Sequence, residues 1–108
     1  MPKKEKTLFQ KILDRELPAE FVFEDELCFA IKDIYPKAPV HFLVIPRKPI
    51  ESLENITEED APLLTHLLLV ARNLAHQHHC EGYRVQINVG EKGGQVIFHL
   101  HVHMMGWL

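Results

Sequence analysis

The chain has 108 residues, 46% hydrophobic and 25% charged, which describes a single domain with enough apolar material for a real core. Twelve basic residues stand against fifteen acidic ones, a formal charge of −3, and this excludes a large electrostatic footprint on nucleic acid. Two cysteines without C-x-x-C spacing, Cys28 and Cys80, read as free thiols of a reducing compartment. The opening MPKKEKTLFQ lacks the apolar segment of a signal peptide, and the longest apolar run, residues 67–71, is far too short to span a bilayer. The expectation is a soluble cytoplasmic protein with one domain, residues 1–108, and an N-terminal tail at residues 1–6.

In chain order, Thr7 is a helix cap, and LFQKILDRE (residues 8–16) places Leu8, Phe9, Ile12 and Leu13 at helical spacing before Leu17-Pro18 ends the segment. EFVFED (20–25) and LCFAIKD (27–33) read as a hairpin around an acidic turn. Pro36 and Pro39 mark a loop, and VHFLVIPR (40–47) is a third strand, with Pro46 marking either its end or a sheet edge. From Thr57 to His79 the apolar period becomes 3.6, one long helix capped by Thr57 or Asp60, with Pro62 in the first turn and Gly82 as stop. YRVQINVG (83–90) and VIFHLHVHMM (96–105) complete five strands around a Gly93-Gly94 loop. Short turns between strands, with helices inserted rather than alternating, predict an α+β fold with a mainly antiparallel sheet.

In the last predicted strand His99, His101 and His103 occupy alternate positions and therefore one face, while Leu100, Val102 and Met104 take the core face. Three readings fit such a row. It is a hydrogen-bonded structural ladder, a metal site with His41 as a further ligand, or a catalytic cluster in which one imidazole attacks phosphorus. No Asp, Glu or Cys lies within the stretch to complete a usual metal set. Gly93-Gly94 permits close backbone approach to an anion, and Asn88 on the preceding strand is an amide donor, so the loop favours the catalytic reading. Asp33, at a strand end, suits a ribose diol. Leu8, Phe9, Ile12, Ile31 and Ile34 suit either plain core or an apolar slot for a base. His66, His76, His78 and His79 read as a solvated helix end.

HLHVHMM resembles the His-x-His-x-His-x-x signature of the histidine triad (HIT) proteins. TLFQKILDRELPAEFVFEDELCFAIKDIYPKAPVHFLVIPRKPI and INVGEKGGQVIFHLHVHMMG are similar to the two halves of its nucleotide-binding Hint branch, so the likeness covers about residues 7–106. The resemblance implies a homodimer with two sheets joined across it. It also implies binding of purine nucleoside monophosphates and hydrolysis of the P–N bond of nucleoside phosphoramidates, with no metal or other cofactor. It assigns His101 as nucleophile, with His99, His103 and His41 supporting it. Asp33 falls at the ribose, Asn88 and Gly94 at the phosphate, and Leu8, Phe9, Ile12, Ile31 and Ile34 at the base, with Gln95 and Val96 among the nucleotide-binding residues. The neighbouring dinucleoside polyphosphate hydrolases are the alternative branch, and a nucleotide- or metal-binding module with little catalysis is the alternative class. Two departures bear on the leaving group. Val96 stands where the family often has a polar residue, and only Trp107 and Leu108 follow Gly106.

Overall fold

The computed structural model describes residues 6–108, so the expected tail, apart from Lys6, lies outside the described residues. Helix α1 (Leu8–Leu13) precedes strands β1 (Phe21–Glu24), β2 (Cys28–Lys32) and β3 (Val40–Pro46), and helix α2 (Ala61–Gln77) precedes β4 (Gly82–Gln86) and β5 (Val102–Trp107). Every strand pairing is antiparallel, and the sheet order is β1-β2-β3-β5-β4. This is the α+β architecture that the element order predicts. Among the described residues no helix is long and apolar enough to cross a membrane.

Local chemistry explains most boundaries. Thr7 Oγ1 accepts the Gln10 N–H at 3.2 Å while the Gln10 side chain accepts the Thr7 N–H at 2.8 Å, a capping box that starts α1. In the β1–β2 turn Asp25 Oδ1 accepts the N–H groups of Leu27 and Cys28, both at 2.8 Å. The other oxygen of Asp25 lies 2.6 Å from His66 Nε2 on α2, so the turn also pins the long helix. Burial opposes ionisation of Asp25, but the bonds from Cys28, His66 and Leu27 outweigh it and hold the carboxyl below its ordinary range. Thr57 and Asp60 form a capping box around a 3-10 turn, Glu58–Asp60, and Asp60 takes the N-cap position of α2 with Pro62 in the first turn.

Both faces of the sheet are covered, which is why β2 and β3 are almost continuously apolar. Cys28, Ala30, Phe42, Val44, Val102 and Met104 pack against Leu67, Val70, Ala71, Leu74 and Ala75 of α2. Phe29, Ile31, Leu43 and Ile45 on the opposite face pack against Phe9 and Ile12 of α1. Both cysteines are free, and burial, with the Asp25 carboxylate beside it, pushes the Cys28 thiol up to about 12. Leu74 is fully buried at the centre of the α2 layer. Leu74→Ala is expected to cost about 2–5 kcal/mol, read as a lower urea midpoint with an unchanged slope.

β3 ends at Pro46 and is a central strand, so of the two readings of that proline the terminator holds and the edge marker does not. Other boundaries differ from those predicted: α1 ends at Leu13, short of residue 16. β4 stops at Gln86, short of residue 90. β5 begins at Val102, so residues 96–101 are not a strand. There the backbone leaves the sheet: the Leu100 N–H bonds to the Ile50 carbonyl at 2.7 Å, beyond the end of β3, and β4 has already stopped.

Candidate active site

On the α1 face a cleft of about 550 Å3 opens between α1, the loop after β2 and the loop before residue 97. One end is polar, lined by His101, His103, Asp33, Asn88 and Gly94. Leu8, Phe9, Ile12, Ile31 and Ile34 line the cleft too, together with Leu43 and Ile97, and Lys32, Tyr35 and Lys37 add polar groups from the end of β2 and the loop after it. His41, Leu43 and Ile45 alternate with Phe42 and Val44 along β3. His41 therefore points to the cleft side of the sheet, and His103 does so from β5 opposite Leu43. Val96 sits at the cleft edge with its side chain largely in solvent. His99, His41 and Gln95 are buried nearby but do not line the cleft.

Hydrogen bonds fix which nitrogen of each imidazole carries its proton when the rings are neutral. His101 Nδ1 lies 2.8 Å from the His99 carbonyl, which can only accept, so Nδ1 donates and Nε2 keeps its lone pair. His41 Nδ1 accepts the Lys37 N–H at 3.1 Å, so His41 Nε2 donates to His103 Nδ1 at 3.0 Å. His103 is left with its proton on Nε2, as a donor beside His101; the two ring centroids are 5.0 Å apart. His99 Nε2 donates to the Pro46 carbonyl at 2.8 Å, and its Nδ1 lies 3.0 Å from Thr7 Oγ1.

Burial favours the neutral form of all four rings. It lowers His101, opposed by the bond to the His99 carbonyl and by the Asp33 charge. It lowers His99 against its bond to Pro46 and lowers His41 against Asp33. His103 falls furthest, to about 4, through burial and the adjacent His101 and His41. An unprotonated His101 Nε2 next to an N–H donor is a nucleophile paired with an anion-binding group.

Asp33 Oδ1 accepts the Tyr35 N–H at 2.8 Å, and Oδ2 lies 3.4 Å from His41 Nε2. Asn88 Oδ1 accepts a bond from Gln86 at 2.9 Å, which leaves the amide nitrogen as its donor. The glycine loop differs from the anion cradle expected of it. The N–H groups of Gly93, Gly94 and Gln95 bond to the carbonyls of Gly90, Glu91 and Gly90, so they close the turn on itself. Gly94 has φ +92°, a left-handed conformation suited to glycine, and its backbone approaches the Asn88 amide. Gln95 is a brace and not a cleft residue. Its side chain accepts from the Gly90 N–H at 3.0 Å and donates to the carbonyls of Glu51 at 2.7 Å and Ile97 at 3.1 Å.

Asp33, His41 and His103 bring three metal-type donor atoms within 4.8 Å of one another, and so do Asp25, Cys28 and His66 on the far side of the sheet. In both groups the donors are already bonded to one another or to backbone. Leu43 and Ile97 carry no distinctive signal in the sequence, although Leu43 follows from His41 by strand alternation. Thr7 reads in the sequence only as a cap, and its contact with His99 leaves no local trace there.

The chain is similar to known proteins along nearly its whole length. A family model described as scavenger mRNA decapping enzyme C-term binding matches residues 6–107. The chain is 52% identical over 103 residues to a HIT-like protein of Synechococcus elongatus, covering 94% of this chain and 90% of that protein. The structure of a HIT family hydrolase from Clostridium thermocellum is similar at a TM-score of 0.92 and 41% identity, covering 98% of this chain and 94% of that one. A hypothetical histidine triad nucleotide-binding protein from Sulfolobus tokodaii gives 0.81 and 41%, covering 92% and 67%. The fold and the histidine cluster are those of a hydrolase-like α+β domain, and the chain belongs to the histidine triad (HIT) family.

Proposed function

We propose that the protein binds a purine nucleoside monophosphate and hydrolyses the P–N bond of nucleoside 5'-phosphoramidates through a nucleotidyl intermediate on His101. The observation that carries this reading is the bond from His101 Nδ1 to the His99 carbonyl, which leaves Nε2 as a lone pair at the polar end of the cleft. His101 Nε2 attacks phosphorus, the P–N bond breaks, and the amine departs with a proton taken up from solvent, which the water of the second step restores. His103 Nε2–H and the Asn88 amide donate to the phosphate oxygens. Water then attacks the His101–phosphorus bond, gives up a proton, and releases the monophosphate with His101 restored. Asp33 keeps an oxygen for a ribose hydroxyl, and the apolar end of the cleft takes the base. The name of the Sulfolobus relative supports a nucleotide as ligand.

A homodimer fits this reading. β4 is a sheet edge whose residues are all exposed, and Tyr83 and Val85 lie on one of its faces. A second copy paired there would cover an unprotected edge. We read the protein as cytosolic and active without a metal.

The test compares an AMP phosphoramidate with a dinucleoside polyphosphate, both in EDTA. Amine release from the first with little cleavage of the second is expected. Preferential cleavage of the polyphosphate would place the protein in the neighbouring branch.

A further inference from the structure

The acceptor that orients His101 is not held by a strand ladder. Residues 96–101 lie outside the sheet, so the position of the His99 carbonyl depends on what anchors His99. One anchor is the neighbouring Leu100 N–H on the Ile50 carbonyl at 2.7 Å. The other is the His99 ring, fixed at both nitrogens. Because the Pro46 carbonyl can only accept, His99 Nε2 donates to it, and Nδ1 must accept from Thr7 Oγ1. Thr7 Oγ1 simultaneously accepts the Gln10 N–H at 3.2 Å. A hydroxyl is suited to this place because it donates and accepts at once. Phe9, two residues along, sets its ring edge-on against both His99 and His101, at centroid distances of 5.8 and 4.9 Å, and also lines the apolar part of the cleft.

We propose that Thr7 is a positioning residue for His101, acting through His99, so that one helix cap holds both the base slot and the nucleophile in register. The inference rests on His101 being the nucleophile. It assigns Thr7 a second duty besides capping, and the two duties separate by substitution. Thr7→Ser keeps acceptor and donor. Thr7→Asp keeps the acceptor, and aspartate caps helices as well as serine does, but its carboxylate cannot donate to His99. Thr7→Val removes both.

The experiment has two readouts. Nitrogen-15 spectra of the histidines, taken without substrate, report which ring nitrogen of His99 and His101 carries hydrogen. Steady-state kinetics with an AMP phosphoramidate separate kcat from KM. Wild type and Thr7→Ser are expected to hold His101 as the Nδ1–H form. Thr7→Asp and Thr7→Val should each shift the His99 and His101 signals and lower kcat roughly 10- to 100-fold with KM within about twofold, as a small misplacement of a reacting group does. If both variants keep the wild-type His101 signals and kcat, the proposal is overturned. If Thr7→Val alone is impaired and His99 in Thr7→Asp still carries a single proton, the role is capping only, which also overturns it; a His99 that takes a second proton in Thr7→Asp and keeps kcat is still anchored at both nitrogens and supports the positioning role. Wild type that shows the expected spectra and variant shifts but hydrolyses no phosphoramidate supports the positioning role and counts against the phosphoramidase reading alone.

Discussion

Replacing His101 with alanine is expected to lower kcat on an AMP phosphoramidate by at least about four orders of magnitude, as loss of a covalent nucleophile does. AMP should still bind within a few-fold of wild type. The size of the effect follows from the absence of a substitute. His99 Nδ1 faces Thr7 and its Nε2 faces Pro46. His41 is bonded at Nδ1 by Lys37 and at Nε2 by His103. His103 takes the His41 hydrogen on Nδ1 and so carries its own proton on Nε2. Within the cluster only His101 offers a lone pair to the cleft. Retained binding follows because the apolar slot, Asp33 and Asn88 remain. Amine release measures the first quantity and titration calorimetry the second.

Acid should destabilise the fold well above the pH at which carboxylates titrate. All four clustered histidines are held below the ordinary imidazole value of 6.5 in the folded chain. In the unfolded chain they return to it. Above pH 6.5 both states are neutral at these rings, and the full stability is present. As the pH falls below 6.5 the unfolded state takes up protons that the folded state refuses, so stability is lost progressively down to about 4, where His103 titrates in the fold. His103 alone should account for on the order of 3 kcal/mol across that window. Urea unfolding at pH 7.5 and pH 5 checks this, and His103→Gln should flatten the difference. A midpoint that does not move between the two pH values would contradict it. For the same reason the acid limb of the kcat/KM profile, which reports the free enzyme, should lie below 6.5, since His101 must be neutral to attack.

Much of the fold is written in local periodicity. The unbroken apolar runs CFAI and FLVI mark β2 and β3 as strands covered on both faces, and the 3.6 period gives α2. The acidic turn was legible as a turn, but its bond to His66 joins residues 41 positions apart and leaves no local trace. The same limit explains the error at residues 96–101. VIFHLHVH has the alternation of a strand, yet what fixes it is His99 bonding to Thr7, 92 positions away, and to Pro46, 53 positions away. Likewise, Gly93-Gly94 announces a tight turn but not the direction of its N–H groups, which here point into the turn. The histidine row pointed to a cleft, and His101 and His103 do line one, with Asp33 and Asn88 at the same end. The division of labour among the rings is given in the sequence only by the family resemblance and not by the spacing, because it depends on which backbone carbonyl or amide meets each nitrogen.

The most direct test of the central claim is capture of the covalent intermediate. Wild-type protein is mixed with an AMP phosphoramidate, quenched in base within the first turnover, and digested for tandem mass spectrometry. An adenylyl group on the peptide carrying His101, absent from His101→Ala, is the predicted result. An adduct on His99, His103 or His41, or rapid turnover with no adduct at any time point, would contradict it.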